Sequence, residues 1–187
     1  MARRRSGKRL ASHPVHRGRV VDLSVDRVRL PDGREADLEL VHHPRGAAAV
    51  LPVVAGADGD EVLLLRQYRY PTGGWLLEMP AGRLEGDEVP ADCARRELAE
   101  EAGQRAGDLQ PLGWIWPSPG VSDEKIWLFV DRELEPAEQR LDADEVLEVE
   151  RLPLAEAVAR ARDGRIHDAK TVCALLRLAA GGAPRHG

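Results

Sequence analysis

The alternation of apolar and polar positions divides the chain into short strand-like and helix-like segments. From Arg19 to Leu30 the two types alternate loosely, Pro31-Asp32-Gly33 offers a turn, and alternation resumes from Ala36 to His43 with Leu38 and Leu40 on one face. This pattern predicts an N-terminal hairpin. Gly46 to Ala55 and Glu61 to Tyr68 are nearly continuous apolar runs with Asp58-Gly59 between them. Such runs predict two buried strands joined by a tight turn. Trp75 to Met79 is a short strand ending at Pro80, and Leu109 to Trp116, Lys125 to Asp131 and Val146 to Leu152 read as further strands. Pro153 to Arg162 and Asp168 to Ala180 have helical spacing with Gly164 between them. Strands, a helix, more strands and two helices, joined by hairpin-length connections, imply an α+β fold with a mixed sheet rather than a regular doubly wound one.

The clearest helix lies in the middle of the chain. Asp87 is a candidate cap, Pro90 sits in the first turn, and Gly103 terminates it. Ala91, Ala94, Leu98 and Ala102 form its apolar stripe, and Glu97, Glu100 and Glu101 are expected opposite that stripe. Three carboxylates at positions i, i+3 and i+4 repel, each pair at a cost of a few tenths of a kcal/mol. Arg96, four residues before Glu100, partly answers that repulsion. A solvated acidic face is the ordinary reading of such a cluster. The neighbouring Pro80-Ala81-Gly82 loop favours another, because clustered carboxylates and a closely approaching backbone suit a hard divalent cation such as Mg²⁺.

Composition narrows the class. The chain has 187 residues, 43% hydrophobic and 32% charged, and a net charge of −5. That length suits one domain, or one domain with a small appendage, and the balance excludes wholesale disorder. Arg3, Arg4, Arg5, Lys8, Arg9, Arg17 and Arg19 all precede the first acid, Asp22, so the rest of the chain is distinctly acidic. A nucleic-acid partner is therefore not expected, and residues 1–18 read as a basic, flexible arm. Residues 19–45 would be the hairpin, 46–180 the main domain and 181–187 a loose tail. No apolar run approaches a membrane span, and Cys93 and Cys173 alone make neither a disulfide framework nor a zinc cluster. A cytoplasmic setting without membrane attachment fits best. His42, His43 and His167 lack ligand spacing with other candidates, Cys93 lacks a neighbouring base, and Trp114, Trp116 and Trp127 read as core or interface residues.

Gly82, Glu88, Arg96-Glu97-Leu98, Glu100-Glu101 and Gly103 together resemble the Nudix box. Apart from the apolar position Leu98, seven fixed identities at average residue frequencies of roughly 6% arise by chance on the order of once in 10⁹ starts. One departure stands at the end of the box, where Gln104 replaces the usual apolar residue. The resemblance implies a Nudix-type α/β/α sandwich with a mixed sheet, and hydrolysis of a nucleoside diphosphate linked to another moiety. It implies metal held by Glu97, Glu101 and the Ala81 carbonyl, with Glu100 assisting. Arg96 would orient Glu100 or its neighbours, Glu88 would fix the loop onto the helix, and Gly82 and Gly103 would be structural.

Segments outside the box resemble the ADP-ribose pyrophosphatase subgroup. Glu78-Met79-Pro80-Ala81-Gly82 resembles its lead-in, and Gln67-Tyr68-Arg69 resembles a strand-end motif whose arginine contacts substrate phosphate, here Arg69. Ser118 to Glu124 resembles a loop with a proline at the spacing associated with ADP-ribose, followed by a catalytic base or metal ligand, here Glu124. The expected reaction is Mg²⁺-dependent cleavage of ADP-ribose to AMP and ribose 5-phosphate, with Mn²⁺ a possible substitute. The alternatives are another nucleoside diphosphate sugar, such as GDP-mannose, or a non-catalytic nucleotide sensor. The subgroup's N-terminal β segment often packs across a partner subunit, which implies a homodimer.

Overall fold

The computed structural model describes residues 6–143 and 145–181, and it divides into two compact units. One contains the chain through Gly46 together with Trp116–Lys125, and the other contains Ala47–Ile115 and the chain from Ile126 onward.

The first unit is an antiparallel sheet of β1 (Lys8–Arg17), β2 (Asp22–Arg29) and β3 (Glu35–His42), in that order. The β2–β3 pair is the expected hairpin, with Leu23 opposite Val41 and Arg29 opposite Glu35. Lys8–Arg17 corrects the expectation of a flexible arm, since this segment pairs along its length with β2. Every residue of β1 is exposed, so no apolar alternation marks it as a strand. Backbone pairing and the Ser12 hydroxyl, which donates to Asp26 at 2.5 Å, hold it instead. Pro14 is tolerated because β1 is an edge strand, and the register shifts between Pro14 and His16. Arg3, Arg4 and Arg5 and the tail beyond Gly181 lie outside the described residues.

The second unit contains β4 (Ala47–Gly56), β5 (Gly59–Arg69), a 3₁₀ turn at Tyr70–Thr72, β6 (Gly74–Glu78), β7 (Ala81–Arg83) and α1 (Pro90–Ala102). After α1 come β8 (Gln104–Ala106), β9 (Gln110–Ile115), β10 (Ile126–Asp131), β11 (Leu134–Pro136), β12 (Leu147–Pro153), α2 (Leu154–Arg162) and α3 (Ala169–Ala179). The main sheet runs β12-β5-β4-β10-β9, with β6 added to β5 and β7 to β4. Only β10 runs parallel to β4 and the remaining pairs are antiparallel, so the sheet is mixed.

The run in β4 is continuously apolar because both of its faces are covered. Ala47, Ala49, Leu51 and Val53 pack with Ala157, Val158, Ala174 and Leu175 of α2 and α3. Ala48 and Val50 face the other way and pack with Cys93, Ala94, Leu98 and Ala102 of α1. This is the α/β/α sandwich, α+β in class. Three short strands, β7, β8 and β11, have no counterpart in the sequence reading, since three residues are too few to show a period. No helix among the described residues is long and apolar enough to cross a membrane. Trp127 packs partly into the α1-side core, whereas Trp114 and Trp116 stand at the surface.

Candidate active site

Helix α1 is positioned from both ends. Val89, not Asp87, occupies the cap position, because Pro90 sets the first helical residue two positions later than a cap at Asp87 would, and the apolar Val89 makes no side-chain cap bond. At the other end Gly103 adopts φ 61°, the left-handed conformation that glycine takes without strain, and its amide donates to Ala99 O. The last-turn carbonyls find donors in the segment after β11. Gln139 Nε2 donates to Glu101 O at 2.6 Å, and Arg140 N donates to Glu100 O at 2.9 Å.

The three glutamates do not share a solvated face, which corrects the expectation that they lie opposite the apolar stripe. At 100° per residue Glu101 falls beside Leu98 and Glu97 beside Ala94, so both are carried into the interior. Glu97 is 8% exposed and Glu101 1%, while the Glu100 side chain remains 42% exposed. The carboxylate of Glu97 lies against the backbone of β7. A Cβ at Gly82 would stand 1.8 Å from Glu97 Oε1 and 2.1 Å from its carboxyl carbon, so any side chain there would displace the Glu97 carboxylate. Glu101 Oε2 accepts from the Ala81 amide at 2.8 Å.

Arg96 joins the loop to the helix. Its Nε and Nη2 donate to the two oxygens of Glu88 at 3.1 and 3.0 Å, and Nη2 also reaches Arg83 O at 3.0 Å. Its Nη1 donates to Glu97 Oε1 at 2.6 Å and to Glu100 Oε2 at 3.1 Å. Glu88 in turn accepts from the Glu85 amide, which closes the loop between β7 and α1. Cys93 is fully buried behind this loop, where its thiol donates to Gly82 O at 3.4 Å. Burial and the charge of Glu97 push that thiol up to about 12, which removes it as a nucleophile.

Burial likewise raises the carboxyls that the helix carries inward. Glu97 rises to about 7, with Arg96 opposing the effect of burial, and Glu101 rises to about 8 despite the Ala81 amide. Among the described residues no three His, Cys, Asp or Glu side chains form a ready-made metal cage. Glu97 and Glu100 are drawn instead to Arg96. The available donors are nonetheless all oxygens, and two of them are carboxylates buried with little solvent. A hard divalent ion that keeps several of its waters fits such a set.

Arg69 and Glu124 belong to separate surroundings. Arg69, at the end of β5, is held by Glu78, and Arg69 lies within electrostatic reach of Glu101. Glu124 lies in the unit with the N-terminal sheet, 3.8 Å from His43 Nδ1, and its amide donates to Ser122 Oγ. The loop before it is tied to β3: Val41 N donates to Val121 O, and Asp123 accepts from His43 N at 2.7 Å and lies 2.8 Å from His42 Nδ1. His42 thus has a structural place in that loop, with Ser24 Oγ 2.9 Å from its other ring nitrogen.

Lys170 escaped the sequence reading. It is buried in the first turn of α3, bonded to Glu78 and Asp168. The signal available was an unfavourable one, a lysine at the helix end whose dipole repels cations.

The raised carboxyl of Glu101 has a measurable consequence in the metal-free protein. The folded state holds that proton more tightly than the unfolded chain, so stability falls as pH rises toward about 8 and the loss is complete above it. Glu101→Gln keeps an oxygen for the Ala81 amide and removes the charge. In chelator at pH 9 its melting temperature should exceed that of the parent by about 2–6 °C, with the gap shrinking toward pH 5. Equal destabilisation at both pH values would show that the ionised carboxylate is already compensated.

Comparison with known proteins agrees with this geometry. The NUDIX domain family model matches residues 43–175. The chain is 38% identical over 173 residues to the ADP-ribose pyrophosphatase of Bacillus subtilis (strain 168), covering 91% of each protein. It is also 38% identical over 181 residues to the methanol dehydrogenase activator of Bacillus methanolicus, covering 96% of each. To the GDP-mannose pyrophosphatase of Yersinia enterocolitica it is 38% identical over 144 residues, 71% of this chain and 73% of that one. A crystal structure of an ADP compounds hydrolase superposes with a TM-score of 0.78 at 26% identity, covering 94% of both chains. Nudix hydrolases generally use a divalent metal ion. The buried glutamates, the glycine against which Glu97 lies and the match over most of the chain lead to one conclusion: this chain belongs to the NUDIX domain family.

Proposed function

We propose that the protein hydrolyses the pyrophosphate linkage of ADP-ribose, with Mg²⁺, to AMP and ribose 5-phosphate. The observation that carries the reaction class is the pair of buried carboxylates, Glu97 and Glu101, on a helix packed against the Ala81-Gly82 backbone. The substrate rests on the kinship to the ADP-ribose pyrophosphatase over 91% of both chains. Water adds across one P–O–P bond, leaving two phosphate monoesters. Glu97, Glu100, Glu101 and the Ala81 carbonyl would hold the metal, which when bound neutralises the pyrophosphate and lowers the pKa of the attacking water.

The chain's own groups then position and assist. Arg96 aligns Glu97 and Glu100, and its hold on Glu88 keeps the loop of Gly82 against the helix. Arg69 receives a phosphate oxygen, consistent with its part-exposed guanidinium anchored from behind by Glu78. Glu124 is the general base that takes the proton of the attacking water. Little covalent chemistry is asked of the protein, since positioning and charge stabilisation dominate phosphoryl chemistry. We also infer a homodimer formed through the N-terminal sheet, and a cytoplasmic setting in keeping with the unpaired Cys93 and Cys173. Sedimentation equilibrium reads the dimer directly.

A second substrate, GDP-mannose, has specific support, because several GDP-mannose pyrophosphatases are 37–38% identical over 71% of the chain. A panel of nucleoside diphosphate sugars, assayed for phosphate-monoester release with Mg²⁺ and with chelator, separates the two. ADP-ribose should be cleaved best, and only with metal. Preferred cleavage of GDP-mannose would overturn the substrate, and tight binding without turnover would make the protein a sensor.

Two variants test the machinery. Gly82→Ala inserts a methyl group where the Glu97 carboxylate lies, and turnover should fall by about 10²-fold or more while the protein still folds. Near-parental turnover would remove Glu97 from the chemistry. Glu124→Gln should lower turnover by roughly 10²–10⁴-fold and abolish the acid limb of the pH–rate profile. An unchanged rate and profile would rule out Glu124 as the base.

A further inference from the structure

At the start of α3 lies a second buried ionic cluster, whose Arg69 is within electrostatic reach of Glu101 on α1. Glu78, 2% exposed at the end of β6, accepts from Arg69 Nε at 2.9 Å on one oxygen and from Arg69 Nη2 at 3.0 Å on the other. The second oxygen also accepts from Lys170 Nζ at 2.6 Å. Lys170 Nζ reaches Asp168 Oδ1 at 3.0 Å as well. The other oxygen of Asp168 caps α3 through the Thr171 amide at 3.0 Å and accepts the Thr171 hydroxyl at 2.5 Å. Thr171 Oγ1 in turn accepts from the Met79 amide at 2.8 Å, so helix and strand end are fastened together.

A cation is the wrong residue for this place unless it serves a purpose. Burial disfavours its charge, and so does the positive end of the helix dipole. Asp168 and Glu78 outweigh the effect of burial and hold the ammonium above its ordinary pKa. Arg69 differs from its partners in being 40% exposed, and its Nη1 makes no hydrogen bond among the described residues. Glu78 grips that guanidinium through both of its oxygens. Held in turn by Lys170, the same carboxylate is fixed in place and so fixes the plane of Arg69.

We propose that Lys170, seated by Asp168, is a positioning residue that anchors the Glu78 carboxylate and so keeps the Arg69 guanidinium oriented for a phosphate oxygen of the substrate. This rests on the reading of Arg69 as the phosphate-contacting arginine. Lys170 itself touches neither substrate nor reacting atoms.

The test is a double-mutant cycle between Lys170→Met and Arg69→Gln. Calorimetric binding of ADP is one readout, and KM and kcat for ADP-ribose are the other. Lys170→Met should weaken ADP binding and raise KM by about tenfold with kcat changed less than about twofold. In the Arg69→Gln background the same substitution should add nothing. If Lys170→Met does not fold, the pair Lys170→Met/Asp168→Asn removes one charge of each sign and should give the same tenfold weakening. Full-strength weakening without Arg69, a loss confined to kcat, or ADP binding unchanged by Lys170→Met would each overturn the proposal. Because ADP binding needs no turnover, failure to cleave ADP-ribose would refute the substrate assignment while the cycle still decides the role of Lys170.

Discussion

The close approach of Glu97 to the backbone at Gly82 is the contact on which the site depends. A carboxylate can lie there only because residue 82 has no Cβ. That contact joins α1 to β7, and β7 is itself paired to β4 at the centre of the sheet. Glu101 then meets the Ala81 amide, Cys93 meets the Gly82 carbonyl, and Arg96 closes the loop through Glu88. The open space at residue 82 thus lies where a strand, a loop and a helix meet.

The arrangement is held against an electrostatic cost. Glu97 and Glu101 are carboxylates that burial pushes toward neutrality, and Arg96 at Glu97, like the Ala81 amide and Arg69 at Glu101, offsets only part of that. Functional sites concentrate such groups because charge that is poorly solvated interacts strongly with whatever cation or phosphate arrives. The apolar side of the same helix supplies the restraint. Cys93, Ala94, Leu98 and Ala102 pack on Ala48, Val50 and Phe129, so α1 cannot turn its carboxylates out to water without losing that core. Hydrophobic packing on one face keeps the charges of the adjoining face where solvent would otherwise draw them.

A second cluster shows a different solution to the same problem. Glu78, Lys170, Asp168 and Arg69 are of balanced sign and satisfy one another through close hydrogen bonds. Removing one member of a buried set leaves the others uncompensated, which makes such clusters costly to break and well suited to holding a side chain in place. Arg69 is the member that reaches the surface.

Periodicity and motif spacing by themselves determined much of this protein: the buried runs of β4 and β5, the helix between Pro90 and Gly103, the order of elements, and the seven positions of the box. These are local properties, since a strand buried on both faces must be apolar throughout and a helix end takes proline and glycine for backbone reasons. Tertiary structure alone decided the rest. Strand β1 has no apolar face to announce it and exists through pairing with β2. The depth of Glu97 and Glu101 depends on the pairing of β7 with β4 and on the packing of α1 against β4. Lys170 lies ninety-two residues from Glu78, and no local pattern joins them. Charges whose local pattern belongs on a solvated face become a site only when the rest of the fold closes over them, because burial is a property of the whole fold and not of the segment that carries the residue.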